Sequence, residues 1–166
     1  MKGSDFENHL KESANKATLE LREVVKREHE KHPEDQNIYP YEATFTALVF
    51  HHLLNRCLKV GNLHVESSYD DGRRRMDLYY TDGQSKEEYC IEVKTVLSLT
   101  KKGRLYKRRD GLVGIGEDIS RLTELKKQKK RIMIVAYLGF DHIDDKTFRE
   151  WENQIREKDG IVLMFF

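Results

Sequence analysis

Residues 73–96 read Arg73-Arg-Arg-Met-Asp77-Leu-Tyr-Tyr-Thr-Asp82-Gly-Gln-Ser-Lys-Glu-Glu-Tyr89-Cys-Ile-Glu92-Val-Lys94-Thr-Val96, two runs of alternating polarity separated by a turn. Successive side chains of a strand point to opposite faces, so Met76, Leu78 and Tyr80 are expected on one face of the first run and Asp77 on the other. In the second run Tyr89, Ile91 and Val93 point to a core, while Cys90, Glu92 and Lys94 share the opposite face. Asp82-Gly83-Gln84-Ser85 favours a hairpin between them. Pairing the apolar faces through a loop from Gly83 to Lys86 sets Asp77 directly across from Glu92, with Cβ atoms about 5 Å apart. Two like charges that close are unfavourable unless a cation lies between them or one takes up a proton.

Asp77, Glu92 and Lys94 therefore bring two carboxylates and an ammonium together on neighbouring strands. Such a set can hold a divalent cation and a water beside a phosphodiester. An acidic residue two before a lysine occurs at Glu92 and Lys94, at Glu124 and Lys126, and at Asp144 and Lys146. The last two pairs lie in helical or turn-like sequence with no carboxylate on an adjacent strand. Without Asp77, Glu92 and Lys94 would read as a solvated strand face.

The 166 residues suit one domain with a real core, and 36% charged against 38% hydrophobic residues describes a heavily ionised surface. The longest apolar runs, such as Ile132 to Leu138, fall far short of the roughly 20 residues a membrane span needs, so no membrane association is expected. The first residues lack the apolar core of a signal peptide, and Cys57 and Cys90 form neither a disulfide framework nor a zinc spacing. Reduced cysteines and an intracellular (cytoplasmic) location are the expectation.

A net charge of +1 gives no global argument for a polyanionic partner, but local charge does. Lys101, Lys102, Arg104, Lys107, Arg108 and Arg109 follow the strand of Glu92, and Arg73, Arg74 and Arg75 precede Asp77. Both patches flank the carboxylates, where phosphates would lie. In Lys126 to Arg131 a helix C-terminus with a solvated face explains the basic charge at least as well.

Upstream, a long helix is expected from Ser4 to Lys31, with Ser4 and Glu7 at capping-box spacing and Pro33 closing it. Its stripe of Phe6, Leu10, Ala14, Ala17, Leu21 and Val24 can dock on its own domain, the favoured reading, or pair with a second copy in a homodimer. A second helix spans Tyr41 to Val60, with Glu42 in its first turn on or near the buried stripe. That carboxylate is either favoured by the helix dipole or an additional ligand over the site. Strands are expected at Asn62–Tyr69, Arg73–Thr81 and Glu87–Val96 as an antiparallel meander. Gly111 to Gly116 reads as a flexible lead into a helix at Glu117–Lys129; then come strand Arg131–Phe140, helix Asp145–Lys158 and strand Ile161–Phe166.

This order, helix, three-stranded meander, helix and strand over Tyr41 to Phe140, resembles the PD-(D/E)XK, or restriction-endonuclease-like, nuclease superfamily. The family's aspartate lies on the second core strand and its acidic-x-lysine on the third, as do Asp77, Glu92 and Lys94, and Glu42 matches the glutamate many members carry in the first core helix. Met76 stands where the family has proline. The resemblance implies an α/β (α+β) fold, a central mixed sheet flanked by helices, as a single domain: an N-terminal helical extension (1–33), a catalytic core (41–140) and a C-terminal helix and strand (141–166). It further implies Mg²⁺- or Mn²⁺-dependent hydrolysis of nucleic acid, DNA more than RNA. Asp77, Glu92 and the Val93 carbonyl would hold the ion, and Lys94 would orient the water or stabilise charge. A nucleic-acid-binding or interaction module that cleaves nothing is the alternative on the same fold.

Overall fold

Alternating and helical periodicities sort the chain into three helices and five strands among the residues that the computed structural model describes, which are 3–31, 41–56, 62–68, 72, 75–96, 112–125, 129–139 and 160–166. In order they are α1 (Gly3–Lys31), α2 (Tyr41–Leu54), β1 (Leu63–Ser68), β2 (Arg75–Thr81), β3 (Glu88–Val96), α3 (Leu112–Glu124), β4 (Lys130–Tyr137) and β5 (Ile161–Phe165). The strands form one mixed sheet in sequence order. β1, β2 and β3 run antiparallel as a meander, and β4 and β5 are parallel to β3. This is the α+β architecture expected, with helices flanking a mixed sheet and an additional N-terminal helix. No helix among the described residues is long and apolar enough to cross a membrane.

The β2–β3 hairpin has the register that the sequence demands. Leu78 pairs with Ile91 and Tyr80 with Tyr89, and the turn closes through Asp82 N–H to the Glu87 carbonyl at 2.9 Å. Asp82 stabilises the turn from inside by accepting from the Ser85 hydroxyl at 2.7 Å and the Gln84 N–H at 3.1 Å. Those bonds, the hydroxyl first, hold its carboxyl below the usual aspartate range. Lys86 completes the loop at φ 63°, a left-handed conformation that favours glycine.

Apolar side chains divide between the two sides of the sheet. On one side α1 and α2 cover Leu78, Tyr89, Ile91, Val93, Ile132 and Ile134; on the other, α3 covers Cys90, Met133, Val135 and Leu163. The stripe of α1 is spent on the chain's own sheet: Phe6 stacks on Tyr80 at 4.0 Å between ring centroids, and Leu10, Ala14, Ala17 and Leu21 are fully buried. The stripe ends at Val25 instead of Val24, which is exposed. Four residues on from Leu21 meets the sheet better than three at this docking angle.

Two further expectations are corrected. The glycine-bearing segment before Glu117 is the first turn and a half of α3, which begins at Leu112. A cost of about 1 kcal/mol per helical glycine is readily outweighed by tertiary packing. Met76 does not share a face with Leu78 and Tyr80; it packs with Cys90, Leu122 and Met133 on the α3 side. Next to this change of face, Glu66 on β1 adopts φ 51° and the ladder is interrupted between the pairs Val65↔Leu78 and Ser67↔Met76. The pleat of β2 breaks at Asp77. The expected helix 145–158, Cys57 and the loop 32–40 lie outside the described residues.

Candidate active site

The β2–β3 pairing ends at Leu78↔Ile91; in that register the next positions are Asp77 and Glu92, which do not continue the ladder. The two carboxylates do not behave alike. Asp77 is half-buried and accepts the Val93 N–H at 2.7 Å, so its side chain takes the place of a strand acceptor where the pleat is broken. Glu92 is only 2% exposed and points to the α3 side, with its Oε1 3.9 Å from Arg121 Nε. Lys94, two residues on and on the same face, places Nζ 3.1 Å from each Glu42 oxygen and 3.3 Å from Asp118 Oδ2. Asp118 is also 2% exposed and is ion-paired with Arg121 one helical turn on.

Each position has a local cause. Glu92 and Lys94 follow from the period of β3; Glu42 from the first turn of α2, which runs over that strand. Asp118 and Arg121 come from α3, whose Ile119, Leu122 and Leu125 pack on Met133 and Val135 of β4. Neither was singled out from the sequence. A signal existed, since Asp118 lies four and seven residues before Leu122 and Leu125, on the buried stripe itself. Glu42 stands in the first turn of α2, and its carboxylate pairs with Lys94.

Of the basic residues, Arg75 is exposed and paired with Glu66 at 2.9 Å. Arg73, Arg74, Lys101, Lys102, Arg104, Lys107, Arg108 and Arg109 lie outside the described residues. Among the described residues no three His, Cys, Asp or Glu side chains are grouped so as to hold a metal ion. Glu42 and Asp118 pair with Lys94, Asp118 and Glu92 lie against Arg121, and Asp118 Oδ2, though near Lys94, is buried without a hydrogen bond among the described residues. Carboxylate oxygens of this kind are donors that a hard cation accepts.

No protein-family profile matches the chain, and no curated protein does. Among solved structures it is similar to Pyrococcus furiosus SfsA in complex with Ca²⁺, at 16% identity and a TM-score of 0.43, over 72% of this chain and 55% of that one. The chain thus spans about half the length of that protein, and the likeness is too distant to bear on activity.

Proposed function

We propose that the chain is a divalent-metal-dependent phosphodiesterase that hydrolyses nucleic acid, DNA before RNA, in a restriction, repair, recombination or defence setting. The observation that carries the reading is the β2–β3 register, in which Asp77 and Glu92 are the positions one step past Leu78↔Ile91, with Asp77 accepting the Val93 N–H and Lys94 two residues on from Glu92. Asp77, Glu92 and the Val93 carbonyl are the groups to hold Mg²⁺ or Mn²⁺, hard ions that prefer oxygen donors. When bound, such an ion lowers the pKa of a water and offsets charge growing on phosphate. Lys94 supplies a fixed ammonium to orient that water and stabilise developing negative charge. Glu42 pairs with the ammonium from the α2 side. Arg73, Arg74, Arg75 and the basic run from Lys101 to Arg109 are the candidates for backbone phosphates, contacts that position substrate without reading sequence.

The test is incubation with plasmid, single-stranded DNA and RNA, with Mn²⁺ or Mg²⁺ and with chelator. Cleavage is expected with the ion and is lost in Glu92→Ala and Lys94→Ala; cleavage persisting in either variant overturns the assignment. One observation favours a second reading, a nucleic-acid-binding module that cleaves nothing: Glu92 and Asp118 are buried and ion-paired, an arrangement that also fastens α3 to β3. On that reading nucleic acid binds equally with chelator and is never cut.

A further inference from the structure

Lys94 ends in an ammonium on four rotatable bonds, and a group that acts electrostatically must be held still where charge develops. Two carboxylates among the described residues reach it. Glu42 is close, but its side chain is 40% exposed, so solvent and salt screen the pair. Asp118 is 2% exposed, in surroundings where charge interactions are screened far less. Its backbone is fixed by core packing, because Ile119, Leu122 and Leu125 on the same helix bury against β4 and β5. Its second oxygen engages Arg121, which in turn lies 3.9 Å from Glu92. A single buried carboxylate thus ties both cations of the site to one point.

We propose that Asp118 is a positioning residue that fixes the Lys94 ammonium and the Arg121 guanidinium beside Glu92 of β3, a role that rests on the phosphodiesterase reading for its purpose and on α3 for its rigidity. Asp118→Asn preserves shape and removes the charge, leaving Lys94 only its solvent-screened partner. Glu42→Gln removes that screened partner and leaves the buried one.

The experiment reads Lys94 directly. In ¹⁵N-labelled protein at low temperature, a half-buried ammonium held in ion pairs exchanges slowly and gives an observable Nζ signal, assigned by its loss in Lys94→Arg. The signal is expected in the wild type and in Glu42→Gln, and is expected to broaden away in Asp118→Asn. Cleavage by Asp118→Asn is expected to lose about 10–100-fold in kcat with KM little changed, the scale of supporting-residue effects at such sites. Asp118→Glu, which keeps the charge, retains the signal; this variant decides the matter should Asp118→Asn fail to melt cooperatively. An unchanged Lys94 signal in Asp118→Asn, or its loss in Glu42→Gln or Asp118→Glu, overturns the proposal. A wild type that never cleaves nucleic acid defeats the phosphodiesterase reading while the Nζ signal still decides what holds Lys94.

Discussion

Asp77 performs two separable tasks, and substitution can divide them. Its Oδ2 accepts the N–H of Val93, a residue with no solvent exposure, at a point where β2 offers β3 no regular ladder partner. Asp77→Ala strands that amide, and an unsatisfied buried donor costs about 1–3 kcal/mol. Taking about 2 kcal/mol, and about 2–4 °C per kcal/mol for a domain of this size, the midpoint of thermal unfolding should fall by about 4–8 °C. Asp77→Asn retains a carbonyl oxygen at the same place and exchanges a charge-assisted bond for a neutral one, so it should lose roughly half as much. On the proposed function cleavage should not distinguish the two variants: both remove the carboxylate proposed to hold the ion, and both should be inactive in Mn²⁺. Scanning calorimetry and plasmid nicking on the same preparations measure the two tasks. Asp77→Asn melting as low as Asp77→Ala refutes the hydrogen-bond account, and Asp77→Asn cutting at the wild-type rate removes Asp77 from the reaction.

Burial raises the phenol pKa values of Tyr79, Tyr80 and Tyr89, the last also through its hydrogen bond to Glu87. Unfolded tyrosine ionises near pH 10 while the folded chain keeps its protons, so stability is whole below about pH 10 and declines above it; urea midpoints from pH 9 to 11.5 should show the fall, with a shallower slope in Tyr89→Phe. Lys86→Gly relieves a left-handed penalty of about 1–2 kcal/mol against a chain-entropy cost of about 0.5–1, for a net gain of about 0.5–1 kcal/mol readable in urea titration; a loss of stability would mean that the Lys86 side chain holds the turn. Phe6→Ala removes a fully buried ring from the contact with Tyr80 and Tyr89 and should cost about 3–5 kcal/mol, whereas a near-neutral result would detach α1 from the core.

Much of this arrangement is legible in the sequence where local rules act alone. The parity of two alternating runs and the Asp82-Gly83 turn suffice for the β2–β3 register, because a one-residue slip would expose Leu78, Ile91 and Val93 together. Where tertiary context chooses between local options, reading fails. Val24 and Val25 both fit a helical stripe, and only the docking of α1 selects the second. The strand rule assumes an unbroken pleat; no feature of Glu66, a residue with no preference for left-handed backbone, announces the interruption beside which Met76 changes face. Asp118 carries a readable anomaly, a carboxylate on an apolar stripe, but its meaning depends on which strand lies beneath α3.

The buried charges themselves argue about purpose. A closed corner between α3 and β3 is built at least as stably from leucines, since desolvating two ions often costs more than their attraction returns. Glu92 and Asp118 are buried all the same, Asp118 against Lys94 and Arg121 and Glu92 against Arg121. On the proposed function the carboxylates serve to meet a divalent cation. Addition of Mn²⁺ or Mg²⁺ should accordingly raise the unfolding free energy of the wild type, by about 1.4 kcal/mol at ten times the dissociation constant, and leave Asp77→Asn and Glu92→Gln unmoved. Equal stabilisation of all three proteins would show that the charges serve packing alone.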